Sequence, residues 1–185
     1  MLGQLPKSLV VGGRIYPIRS DFRDVLNVLE AFADPDLDNQ EKVYVCLFTI
    51  YPDLESIPAD DLQEAYEQAV QFIDCGAEAK PTRSPKIVDW AQDERLIFPA
   101  INKVAGTEVR ALAYLHWWTF LGYFMEINEG TYSQILSMRS RKARGKKLEK
   151  YETEFWNSNR DICVLQKRLS KEEQEEKERL NRMFK

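Results

Sequence analysis

The chain has 185 residues, 44% hydrophobic and 30% charged, with a net charge of −4. That length and apolar content allow a sizeable core in one soluble domain, and no apolar run reaches the roughly 18 residues that a membrane span needs. The three cysteines, Cys46, Cys75 and Cys163, are too scattered for a disulfide framework or a metal cluster and read as reduced thiols of a cytosolic protein.

The start, "MLGQLPKSLVVGG", lacks the basic opening and long apolar segment of a signal peptide. Residues 8–18, "SLVVGGRIYPI", hold two short β-prone runs around Gly12-Gly13, the signature of a tight hairpin, and Pro17 marks an edge strand. Next, "SDFRDVLNVLEAFADP" spaces Phe22, Val25, Leu26, Leu29 and Phe32 for a helix, with Ser20 or Asp21 as cap and Pro35 past its end. Residues 38–52 place Val43, Cys46, Leu47 and Ile50 on one helical face. A third helix over 58–76 begins at proline and acids and stops at Gly76. By composition, residues 77–85 are a linker.

Ser84-Pro85 reads as the cap and first-turn proline of a further helix, which Pro99 must kink or split. Gly106 ends it, and Thr107 can cap a helix over 108–127. "TYSQ" (131–134) and "SKEE" (170–173) fit the capping-box pattern. The last segment, "KEEQEEKERLNRMFK", is polar all round and reads as an exposed or partner-dependent helix. The expectation is a mainly α protein of six or seven helices: a helical domain over 1–165 with a hairpin at about 8–18, and a charged helical extension over 166–185.

The stretch "LHWWTFLGYF" (115–124) holds the one histidine, His116, beside Trp117 and Trp118. On a wheel at about 100° per residue, Glu108, Thr119 and Glu126 form a narrow polar line joined by Gly122, and the rest is apolar. Such a helix is buried, so His116 reads as a core residue with one or two hydrogen bonds. No nucleophile, carboxylate or second histidine stands in register with it for catalysis or metal binding. The side carrying Tyr114, Trp118 and Met125 reads either as core or as a partner interface.

Asp89 and Asp93, four apart, could share a divalent ion or acid–base work, but a solvated helix face near Lys86 and Arg95 explains them more simply. Residues 1–80 carry a charge balance of −9 and residues 81–185 one of +5. Two solvated surfaces account for this; head-to-tail attraction between copies, or a partner that reads only the basic part, is the alternative. Residues 131–150 hold seven basic side chains against Glu149. Within them Arg139, Arg141, Lys142 and Arg144 are candidate partner-binding residues, on an exposed loop that suits acidic segments better than nucleic acid, for want of interleaved aromatics. Neither "GKK" at 145–147 nor "VVGGR" completes a nucleotide-binding loop, and no cofactor, metal or catalytic motif occurs, so a non-enzyme is expected.

Four features in order, "VVGGRIYPIRSDFR", "DWAQDERLIFPAINK", "LHWWTF" and "SMRSRKARGKKLEKYE", resemble the gp-fifteen family of phages and prophages of Gram-positive bacteria, over roughly residues 8 to 165. The resemblance implies a gene in the tail module, between the major tail protein and the tape measure. It implies a small helical tail assembly chaperone of the host cytoplasm, which binds the tape measure protein and other tail proteins; the opposite charges of the two halves would suit self-association in that role. It carries over no catalytic residue. A structural tail component retained in the virion is the alternative, and a nucleic-acid-binding protein using 139–150 is a further one.

Overall fold

A computed structural model describes residues 3–77 and 85–183. Strands β1 (Ser8–Val11) and β2 (Arg14–Pro17) pair antiparallel with Val11 opposite Arg14 and Leu9 opposite Tyr16. Gly12 and Gly13 turn the chain at φ 54° and 73°, values that a residue with a Cβ resists. Alternation sends Val11 and Tyr16 into the core and leaves Val10 and Ile15 exposed. A lone hairpin is marginal in water; this one lies on a helix, where the Gly12 amide donates to Glu64 Oε2 at 3.1 Å.

Nine α-helical segments follow among the described residues. Helix α1 (Phe22–Ala33) is capped by Asp21, which accepts from the Arg23 amide, and stops before Pro35. Helix α2 (Asn39–Ile50) opens with a reciprocal Asp38–Glu41 capping box and packs on α1. Helix α3 (Leu62–Ile73) ends in a reversed turn with Cys75 at φ 55° and Gly76 at φ 76°, where the Gly76 amide donates back to the Gln71 carbonyl. Helix α4 (Glu94–Ala105) ends at left-handed Gly106, as expected. Then come α5 (Trp117–Met125), α6 (Thr131–Ala143), α7 (Lys150–Ser158), α8 (Arg160–Cys163) and α9 (Lys171–Met183).

Helix α5 sits between α1 and α4. Phe22 stacks on Phe120 at 4.4 Å with ring planes 8° apart, and Trp90, Phe98, Trp117 and Phe124 surround them. A smaller cluster of Ile135, Met138, Trp156 and Cys163 joins α6, α7 and α8. Ser170 and Glu173 form the expected capping box of α9, a helix with no buried residue.

Several expectations need correction. The segment 108–127 is not one helix: Val109–Ala111 is a 3₁₀ turn, and α5 begins only at Trp117. The chain between them is drawn into an extended pairing with the start of α1. The Phe22 amide donates to the Leu115 carbonyl, the Trp117 amide to the Ser20 carbonyl, and Asp21 Oδ2 accepts from the Leu115 amide. Glu108, not Thr107, caps the 3₁₀ turn. Ser84 lies outside the described residues, but residues 85–93 are not α-helical, and α4 starts nine residues later than its sequence cap implies. Pro99 does not split α4; it costs one backbone hydrogen bond on an exposed face, and the helix runs through. "TYSQ" forms no capping box, because Gly130 at φ 91° takes the cap position and Thr131 is already helical. The short α7 and α8 raise the helix number above six or seven.

Candidate functional site

Residues 115–118 work as a clasp. His116 is buried and caps α5: its Nδ1 accepts from the Trp118 amide at 3.0 Å. That acceptance places the proton on Nε2, which donates to the Pro6 carbonyl at 2.8 Å. The Trp117 and Trp118 indoles donate to the Ile73 and Phe72 carbonyls, both at 2.8 Å. The last carbonyls of a helix lack partners within it, so the two tryptophans satisfy the end of α3 while their rings fill the core. The expected pair of hydrogen bonds on His116 is present; the expected helical setting is not.

The side shared by Tyr114, Trp118 and Met125 does not exist as one stripe, because Tyr114 precedes α5. Tyr114 is half-exposed, bonded through its hydroxyl to Ser20 Oγ at 2.8 Å, with the Lys7 ammonium 5.7 Å from its ring centre. Trp118 is half-buried against Phe72. Met125, at the end of α5, is 76% exposed.

The carboxylates Asp89 and Asp93 are not on a solvated helix face. Asp93 is 1% exposed and Arg139 is 5% exposed, and they face each other fork to fork at 2.6 and 2.8 Å. Arg139 also donates to the carbonyls of Ile87, Ile162 and Cys163. The pair therefore ties α4, α6, α8 and the segment before α4 together. The Tyr132 hydroxyl closes on Asp93, and burial, then the Asp93 charge, push that phenol far above its ordinary value. Asp89 is also buried and accepts from Lys86, Arg168 and the Gln92 amide. Burial alone would raise its carboxyl; the hydrogen bonds from Arg168 and Lys86 outweigh that and hold it well below the usual carboxylate range. Arg168 turns its other edge to Glu30 on α1, and the Lys171 amide donates to Asp36. Residues past 165 are thus strapped to the body before α9 departs.

This cluster divides the basic segment. Arg139 is no surface residue, as its buried pairing shows. Arg141 is half-buried and paired with Glu152. Lys142 is exposed, with its ammonium 4.9 Å from the Trp156 ring centre. Arg144, Lys146 and Lys147 are exposed in and after the turn that ends α6. The expected loop is largely helix, and of its four candidates only Lys142 and Arg144 face solvent.

One exposed feature escaped the sequence reading. Tyr44 and Phe48 stack on α2 at 5.9 Å, and both are well over half exposed. They lie four apart on the face opposite Cys46, Leu47 and Ile50, so the helical period that located the buried face also locates this one. Aromatic pairs left in solvent favour protein contacts. No described helix is long and apolar enough to cross a membrane.

Searches of curated proteins and of solved structures return no match. The family model of Bacteriophage Gp15 protein matches residues 1–165, which span the hairpin, the clasp and the buried Asp93–Arg139 pair, and the chain therefore belongs to the Bacteriophage Gp15 protein family.

Proposed function

We propose that this chain is a phage tail assembly protein, a non-catalytic chaperone that binds the tape measure protein in the host cytoplasm and leaves the tail once it is built. The observation that carries the reading is membership in the Bacteriophage Gp15 protein family over residues 1–165, which supports a phage structural or assembly role. The family resemblance then implies the tail module and the tape measure as partner. Surface chemistry is compatible with it. A tape measure protein is long and helical with apolar stripes, and Tyr44, Phe48 and Met125 offer exposed apolar contacts of the kind that cover such stripes.

Fate separates the chaperone from a retained structural component. The test is deletion of the gene, with electron microscopy of the lysate and mass spectrometry of purified virions from the intact phage. The chaperone reading expects tailless heads on deletion and no peptides of this chain in intact virions. Abundant peptides in the virion, or normal tails after deletion, would overturn it.

A further inference from the structure

Helix α9 has 13 residues and none of them is buried: only its first turn touches the body, where the Lys171 amide meets Asp36, and the rest buries no face. Isolated helices of this length are marginal in water and draw most of their stability from packing. Its first two turns carry Glu172, Glu173, Glu175, Glu176 and Glu178 against Lys171 and Lys177. Glu172, Glu175 and Glu176 share one face at three- and four-residue spacing, with Arg179 beside them, so that face stays net acidic.

The complementary surface is in the same chain. Between the end of α6 and α7 lies a groove of about 300 Å³, floored by Leu148 and Trp156 and rimmed by Lys142, Lys146 and Lys147. None of the ion pairs among the described residues involves Lys142, Arg144, Lys146 or Lys147. The rim is therefore an uncompensated run of cations over an apolar floor, where the neighbouring Arg139 and Arg141 already have their carboxylates.

We propose that α9 of one copy docks in the α6–α7 groove of a second copy, with the Glu172, Glu175 and Glu176 face against Lys142, Lys146 and Lys147. The strap through Arg168 fixes the root of α9 on the body, so docking joins bodies and not merely tails. The contact is heterologous. Each pair keeps one free α9 and one free groove, so association propagates head to tail unless the rotation closes a ring. This inference does not rest on the tape-measure reading.

The test is analytical ultracentrifugation of the full chain, at concentrations up to the order of 100 μM because a contact this small is weak, in low and high salt. The expected result is a mass that rises with concentration at low salt, with the apparent Kd weakened about tenfold at high salt. Two charge-reversed chains sharpen it: Glu172→Lys with Glu175→Lys and Glu176→Lys, and Lys146→Glu with Lys147→Glu. All of these positions are exposed, so the melting temperature of the body should not move. Each reversed chain should stay monomeric alone, and the equimolar mixture should regain association, because each helix then meets a groove of opposite sign. A wild-type chain that stays monomeric at low salt overturns the proposal. So does association that survives either reversal, a mixture that stays monomeric, or a salt-dependent compaction independent of concentration, which would mean that α9 docks on its own body.

Discussion

Truncating Arg139 to alanine should be the most damaging single change outside the apolar core. The guanidinium makes five hydrogen bonds, two to Asp93 and three to the carbonyls of Ile87, Ile162 and Cys163. Alanine leaves a carboxylate that is 1% exposed with only the Asp89 amide at 3.2 Å and the Tyr132 hydroxyl at 3.4 Å. Removing one partner of a buried ion pair costs about 3–5 kcal/mol, because the remaining charge is uncompensated. A domain of this size has roughly 5–15 kcal/mol in all, so a large part of its stability would go. Equilibrium urea unfolding followed by tryptophan fluorescence measures it. Arg144→Ala, an exposed neighbour, should stay within about 0.5 kcal/mol of wild type. Replacing both partners, Arg139→Met with Asp93→Leu, should recover more than half of the loss, since no lone charge remains. A cost below about 1 kcal/mol for Arg139→Ala, or a double variant no better than the single one, would refute the account of the pair as the tie between α4, α6 and α8.

Three further predictions follow the same assay. His116→Ala should cost about 1–3 kcal/mol, since it removes the α5 cap and the bond to Pro6, and His116→Asn should recover part of it by restoring the cap; an alanine variant as stable as wild type would remove the clasp from the account. Gly12→Ala should cost more than Gly13→Ala: both positions have positive φ, worth roughly 1–2 kcal/mol, but a Cβ on Gly12 would come 2.5 Å from Asp61 Oδ2, while one on Gly13 meets open space. Asp89 should steepen the acid limb of the stability curve. Its folded pKa lies below the unfolded 3.8, so its contribution is present above that value and is lost as the pH falls beneath it, where the unfolded chain takes up the proton first. Asp89→Asn should flatten the curve below pH 3.8, and an unchanged slope would contradict the hydrogen-bond account.

The sequence made the local structure legible where the controlling interactions are local. Gly12-Gly13, Asp21, Gly106 and Ser170 act within a few residues of themselves, and each marks the element boundary expected of it. It failed where a partner arrives from far along the chain. The run 112–116 has helical periodicity, yet pairing with Ser20–Phe22, some 95 positions away, pulls it straight. Asp93 and Arg139 look like ordinary surface charges until the fold sets them 46 positions apart in sequence and 2.6 Å apart in space. The same long-range pairing explains why Arg139 drops out of the candidate partner surface, while Lys142, Arg144 and Met125 remain on it. Tyr44 and Phe48 were readable from period alone, because an exposed face is the complement of a buried one.

The most direct test of the functional account is co-expression of this chain with the tape measure protein of the same phage. The account predicts that the tape measure protein becomes soluble and co-elutes with this chain, and that Phe48→Glu or Met125→Glu weakens the complex without moving the melting temperature of the free chain. A tape measure protein that stays insoluble while this chain elutes alone would contradict it.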